Sequence, residues 1–276
     1  MKAAVYHGRH DIRIQSVPEP DDPGPGEVVL EVVRAAICGT DSSEWAHGPL
    51  LTRPPVTLGH EFVGRVVSIG EGVDGLAHGD RVVSGAAVSC GHCEWCRAGR
   101  TNLCSTYLTL GLQLNGGLAQ LVKTPAAVCR HVPDVCSDDA AAMAQPLAVA
   151  LHALRRTNVQ PGHTCVVIES SGAPGSPETA IEATRRGGRV LIVGLQPSPT
   201  EIDLFALTTR EVEIRTAVAH ICDVDLPESL DIISRGHLAE TVLDRVIPLD
   251  DLVDQGIRPL VERTARGKII VDPQAA

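Results

Sequence analysis

The sequence predicts an α/β plus β chain: a barrel-type β-domain followed by a reduced, roughly three-stranded parallel α/β unit. Residues 1 to about 150 hold many short apolar runs broken by Gly and Pro, the pattern of short strands joined by turns. From Ala140 the chain becomes Ala-rich and helical, and apolar strand-like runs then alternate with helical ones, as in parallel α/β units. Cys90, Cys93, Cys96 and Cys104 are spaced C-x2-C-x2-C-x7-C, which suits a closed tetrahedral zinc site that staples a loop.

In chain order, Met1 to Tyr6 reads as a strand, as do Val28 to Val33 and Gly64 to Ile69, and Gly79 to Val83 follows a turn. Gly70 to Gly75 spells G-x-G-x-x-G after a strand. Leu76 to Asp80 then turns into another strand and not a helix, so the motif lacks its βαβ unit and is predicted to be a hairpin turn. A helix runs from Ala140 through Leu147 and Leu151 to Leu154. The turn Gln160-Pro161-Gly162 leads into a buried strand, Thr164 to Ile168. Glu178 to Arg186 is a helix ended by Gly187-Gly188, Arg189 to Gly194 a second buried strand, and Glu211 to Val218 a third. Pro227 to Ser234 is a helix stopped by Gly236, and Lys268 to Val271 a closing strand.

Composition narrows the function. With 276 residues and 43% hydrophobic side chains, two modest domains can each bury a core. No apolar run is long enough to span a membrane, and the N-terminus reads as a strand, not a signal peptide. Nine cysteines without such a signal imply a reducing, cytoplasmic setting and metal ligation. A net charge of −10 and 2% aromatic residues disfavour nucleic-acid partners.

Upstream of the cysteine cluster lie Cys38-Gly39-Thr40-Asp41 and Gly59-His60-Glu61. Gly79-Asp80-Arg81-Val82, Gly116-Gly117-Leu118-Ala119, Pro146-Leu147-Ala148-Val149 and Gly187-Gly188-Arg189-Val190 accompany them. In order and spacing this set resembles the zinc-containing medium-chain dehydrogenases of alcohols, polyols, threonine and glucose, over nearly the whole chain. The resemblance implies a GroES-like catalytic domain over 1–150, closed by 239–276, and a truncated Rossmann-like domain over 151–238.

It further implies a catalytic zinc held by Cys38 and His60, with Glu61 as an adjacent or exchanging ligand, beside the structural zinc of Cys90, Cys93, Cys96 and Cys104. Asp41 would orient the His60 ring, and Thr40 would pass a proton from the substrate hydroxyl towards solvent. Relatives continue that relay with a histidine where this chain has Ser43, and His47 is a substitute candidate. Where relatives carry a ligand or water-holding carboxylate before Pro-Leu-Ala-Val, this chain has Gln145, either a neutral tuning group or a packing residue.

Relatives also follow their first α/β strand with a glycine-rich phosphate turn and an acidic ribose ligand. Here the first strand runs directly into Glu169-Ser170-Ser171-Gly172-Ala173-Pro174-Gly175, as if two βαβ units, on the order of 60 to 70 residues, were absent. Losing three charge-assisted hydrogen bonds at about 1.5–3 kcal/mol each would weaken a dinucleotide thousands-fold. The expectation is therefore redox-neutral zinc chemistry on a small hydroxy or carbonyl compound (elimination, isomerisation, hydration or carbon–carbon cleavage), with no use of NAD(P). The alternatives are an NAD(P)-dependent zinc alcohol dehydrogenase, which nicotinamide binding would reveal, and a non-catalytic zinc-stabilised scaffold, which lack of turnover would reveal.

The family's mode of association implies a homodimer, or a tetramer built from it, through the edge of strand 211–218. His7, His10, His78, His131, His163 and His237 are expected at the surface. His92 is expected outside the zinc shell, His152 in packing, and His220 is a pocket candidate. Cys129, Cys136, Cys165 and Cys222 are expected to be small buried hydrophobes.

Overall fold

A computed structural model describes residues 1–159, 167–196 and 198–275. It divides into two compact units, 1–148 with 221–276, and 149–220. The first opens with β1 (Lys2–Gly8), β2 (Asp11–Ser16), β3 (Glu27–Ala36) and α1 (Gly39–His47). Then come β4 (Val56–Thr57), β5 (Glu61–Ile69) and β6 (Arg81–Ser84), while β7 (Ala87–Val88) and β8 (Leu108–Thr109) bracket the cysteine lobe and its short α2 (Glu94–Arg97). β9 (Leu121–Pro125), β10 (Cys129–His131), α3 (Asp138–Ala142) and α4 (Ala144–Thr157) follow, and the boundary between the units falls inside α4.

The second unit alternates β11 (Val167–Glu169), α5 (Ser176–Ala183), β12 (Arg189–Ile192), α6 (Leu204–Arg210) and β13 (Glu213–Thr216). The chain then returns through α7 (Cys222–Arg235), α8 (Leu238–Val242), β14 (Leu243–Pro248), α9 (Arg258–Val261) and β15 (Lys268–Asp272).

In the first unit one sheet runs β10-β6-β5-β3-β15-β14, with β9 also on β3, and a small sheet runs β2-β1-β4. β3 pairs antiparallel with β5, setting Ala36 opposite Glu61, and with β15, setting Ala36 opposite Ile270. β3 is a central strand with Val28, Val29, Leu30, Val32, Ala35 and Ala36 buried and Glu31 exposed, which accounts for its largely apolar run. Val28, Leu30 and Val32 join Tyr6, Phe62 and Leu118 in one core. Ala36, Val63 and Ile270 face a second core made with Ala140 of α3, Ala144 of α4 and Leu226 and Leu230 of α7. Each leucine-sized side chain so buried stabilises the fold by about 1.5–3 kcal/mol.

The second unit is a parallel sheet in the order β11-β12-β13, with Val167 opposite Val190 and Val190 opposite Ile214. All three strands are expected to be buried, but only β12 is: Val190 and Leu191 are fully buried, while Ile168 is 43% exposed and both ends of β13 are exposed. The physical reason is position, since β11 and β13 are the two edges of the sheet. β13 also starts later than residue 211, because Glu211 takes a left-handed conformation with φ +51°. The expected turn 160–162, the strand residues before Val167, His163 and Cys165 lie outside the described residues.

Two further readings change. α7 begins at Cys222 and carries Pro227 inside it. Its start is set by Asp225, whose carboxylate accepts the Ile221 N–H at 2.6 Å. α5 ends at Ala183, short of Arg186, and the Thr184 hydroxyl closes it by donating to the Ala180 carbonyl at 2.8 Å. The G-x-G-x-x-G stretch is a turn between β5 and β6, with Gly72 and Gly75 at φ +72° and +76°. Among the described residues no helix is long and apolar enough to cross a membrane.

Candidate metal centre

The four cysteines of the lobe bring their sulfurs within 4.8 Å of one another. Cys90 Sγ and Cys96 Sγ are 4.0 Å apart, near the roughly 3.8 Å edge of a tetrahedron with 2.3 Å metal–sulfur bonds. The tight turns aim backbone N–H groups at these sulfurs: Cys93 N–H donates to Cys90 Sγ at 3.3 Å and Cys90 N–H to Cys104 Sγ at 3.3 Å. N–H groups of Cys96 and Ser105 pull the Cys93 thiol down to about 5, while burial and the neighbouring sulfurs push Cys96 up to about 11. Donors are thus in place for thiolates that a cation must hold together. His92 is exposed and turns its Nδ1 to the Cys90 carbonyl, outside the set of sulfurs.

Cys38, His60 and Glu61 form a second cluster, their ligand atoms also within 4.8 Å. The sheet makes it. Cys38 follows β3 and starts α1, and the β3–β5 register sets Glu61 opposite Ala36 at the neighbouring strand's start. Gly59 takes φ +94°, where a side chain would meet the Leu118 backbone N at 2.6 Å, and this turn delivers His60 to the cluster. Asp41 is completely buried. One of its oxygens accepts the Cys38 N–H at 2.9 Å, and the other lies 3.9 Å from His60 Nδ1. Those two facing atoms have no hydrogen-bond partner among the described residues.

The electrostatics match a site built for a cation. Burial disfavours charge on His60, yet the Cys38 sulfur, Asp41 and Glu61 outweigh it and hold the imidazole up to about 10. Burial likewise pushes the Asp41 carboxyl up, against the pull of His60. A thiolate, an imidazole and a carboxylate with a carboxylate behind the ring form a donor set that fits zinc.

Of the other expected residues, Thr40 lies beside the cluster, its Oγ1 3.6 Å from Cys38 Sγ. Ser43 is half-buried further along α1, and His47 is exposed at the helix's last residue. His47 does not belong to the cluster of histidine, cysteine and carboxylate ligand atoms among the described residues. Seven residues of helix separate His47 from Thr40 by about 10 Å, beyond direct hydrogen-bond reach. Gln145 is buried in the first turn of α4. His10, His78, His131 and His237 are exposed and His7 half-buried, whereas His152 and His220 are buried. Cys129, Cys136 and Cys222 are buried as expected.

The sequence reading missed Lys268. Its Nζ lies 2.5 Å from Glu61 Oε2, with its side chain 20% exposed. Burial opposes the ammonium's charge, and Glu61, Cys38 and Asp41 outweigh it, raising its pKa. The only sequence signal was a lysine opening an otherwise apolar closing strand.

In the second unit, Glu169 ends β11 and gathers the turn that follows. Its Oε1 accepts from Ser171 N–H at 2.7 Å, Ser171 Oγ at 2.8 Å, Gly172 N–H at 3.0 Å and Ser176 Oγ at 2.8 Å. A cleft of about 660 Å³ runs along β11 and α5, lined by Ile168, Ser170, Pro174 and Thr179 among others.

Residues 24–134 match the family model of the alcohol dehydrogenase GroES-like domain. The chain is 37% identical to a sorbitol dehydrogenase of Halalkalibacterium halodurans over 234 residues, 81% of this chain and 67% of that one. It is 33% identical to a sorbitol dehydrogenase of Bacillus subtilis over 219 residues, 78% of this chain and 62% of the relative. The aligned stretches thus span about two thirds of these relatives. In fold the chain is similar to the crystal structure of 2R,3R-butanediol dehydrogenase from Bacillus subtilis, with a TM-score of 0.87 and 26% identity over 99% of each chain. A candidate zinc-binding dehydrogenase of Sinorhizobium meliloti, bound to NADP, gives a TM-score of 0.86 and 25% identity over 99% of each chain.

These likenesses overturn the expectation of redox-neutral chemistry without NAD(P), since the relatives are dehydrogenases and one structural neighbour carries NADP. That expectation rested on the missing phosphate turn and ribose carboxylate. Nucleotides in open parallel sheets bind along the carboxyl ends of the strands, and β11, β12 and β13 retain three such ends.

Proposed function

This chain belongs to the zinc-type medium-chain alcohol and polyol dehydrogenases, and from that premise we propose that it interconverts a small alcohol or polyol and its carbonyl partner with NAD(P). The observation that carries the reading is the donor set of half-buried Cys38 with buried His60 and Glu61, and Asp41 behind it. These three residues would hold zinc, with Gln145 as a further neutral candidate, and the four-cysteine lobe would hold a second, structural ion. When bound, the catalytic ion supplies Lewis acidity that favours loss of the hydroxyl proton.

The chain's own residues do the rest. Asp41 stands behind the His60 ring at 3.9 Å and, through the Cys38 N–H, holds the start of α1. Thr40, beside Cys38, takes the substrate's hydroxyl proton and passes it outward. A bound nicotinamide would supply the acceptor for the hydride of the substrate carbon, so that alcohol and oxidised cofactor would give carbonyl, reduced cofactor and one proton.

We read the three-stranded parallel sheet as a reduced Rossmann unit within a domain over 151–238, and residues 1–150 with 239–276 as the catalytic domain. The open edge at β13 suits pairing with a second copy into a dimer, and two thiolate sites suit a reducing compartment such as the cytoplasm. The test is to titrate zinc-replete protein with NADH and NADPH, following nicotinamide fluorescence, and then to assay polyols and short diols for reduced cofactor. Saturable micromolar binding with turnover supports the reading. Neither binding nor turnover at millimolar cofactor overturns it.

A further inference from the structure

The sheet that builds the candidate centre also places a cation inside it. β15 lies beside β3 with Ile270 opposite Ala36, and the Ile37 N–H bonds to the Ile269 carbonyl at 3.0 Å. Lys268 is two residues from Ile270 on β15 and so shares its face of the sheet. β5 on the other side of β3 sets Glu61 opposite Ala36. Residues directly paired across strands share a face, so Lys268 and Glu61 point to the same side of the sheet as the cluster. Nζ and Oε2 meet at 2.5 Å, with Glu61 2% exposed. Lys268 thus brings an ammonium against a cluster that already holds Cys38, His60 and Glu61.

We infer that Lys268 is a built-in competitor of the metal for Glu61: the ammonium shares the carboxylate as a counter-ion and so weakens its hold on the metal. Lys268 is therefore a positioning residue, acting through Glu61. A carboxylate shared with a buried ammonium donates less charge to a second cation, and the ammonium itself repels that cation across a poorly screened distance. This rests on the reading of Cys38, His60 and Glu61 as a metal site.

The test is a cobalt(II) titration of the full chain against a competing chelator, following sulfur-to-cobalt absorption, with Cys38→Ser as the blank that retains only the four-cysteine lobe. Lys268→Met should bind cobalt at the Cys38 centre at least about tenfold more tightly, and Lys268→Arg should bind as the wild type does. Glu61→Gln, which leaves the ammonium uncompensated, should bind at least about tenfold more weakly, and the double variant Lys268→Met, Glu61→Gln should recover most of that loss.

A merely structural lysine predicts the opposite sign, because its loss would loosen the site. Unchanged or weaker binding in Lys268→Met overturns the inference. If that variant fails to fold, a double variant no tighter than Glu61→Gln overturns it equally. Wild-type absorption no greater than the Cys38→Ser blank would instead overturn the metal-site reading itself, and the inference with it.

Discussion

Asp41 Oδ1 faces His60 Nδ1 at 3.9 Å in a completely buried position, while the other Asp41 oxygen holds the Cys38 N–H at 2.9 Å. One carboxylate thus holds the Cys38 backbone and faces the imidazole of a segment 22 residues further along the chain, both segments carrying ligand candidates.

Asp41→Asn keeps the shape and removes the charge behind the imidazole. Metal affinity at the Cys38 centre should fall about 10- to 100-fold while the four-cysteine lobe keeps its ion. Zinc content after dialysis against graded chelator, set beside the melting curve, checks this.

His60 gives a pH dependence to the metal-free protein. Its pKa is raised from the ordinary 6.5 to about 10, so its contribution to stability is complete below pH 6.5 and is lost as pH rises through about 10. The difference in denaturation midpoint between metal-free wild type and His60→Gln should therefore shrink across that window. A difference that grows with pH would reverse the sign of the argument.

Glu169 should work in the opposite direction. Burial opposes its ionisation, but the donors from Ser171, Ser176 and Gly172 outweigh it and hold its carboxyl below the ordinary 4.5. Its stabilisation is present above pH 4.5 and lost as pH falls through the lower folded value. Glu169→Ala leaves four donors without their acceptor and should destabilise the second unit by about 3 kcal/mol or more. Hydrogen exchange at the backbone amides of 170–176 is the local readout.

Gly59→Ala forces a side chain into a left-handed turn at φ +94° against the Leu118 backbone. The expected cost is about 1–3 kcal/mol of stability together with weaker metal binding, since His60 is the next residue. Gly72→Ala, also at positive φ but with nothing within 4 Å, is the control for strain alone and should leave metal binding intact.

In the lobe, Cys93→Ser removes one of four sulfurs that lie within 4.8 Å of one another. Cleavage within 90–104 by limited proteolysis should rise sharply, as it should for wild-type protein stripped by chelator. The Cys38 centre should still take up cobalt.

The lobe was legible in the sequence because its ligands are local: turns of two residues, and one of seven, fix the geometry before any tertiary contact forms. The Gly70–Gly75 stretch was legible as a turn for the same reason, as was the switch from β-runs to alternating α/β, whereas the candidates Cys38, His60 and Glu61 came from a family resemblance carried by short motifs. What depended on register was not legible. Lys268 is 207 residues from Glu61 and meets it because β15 and β5 both pair with β3, an arrangement no local pattern encodes. Likewise the exposure of Ile168 beside the burial of Val190 follows from which strand is central, since identical apolar runs differ only in having neighbours on one side or on two. Local chemistry specified which groups were available, and strand pairing decided which of them share a site.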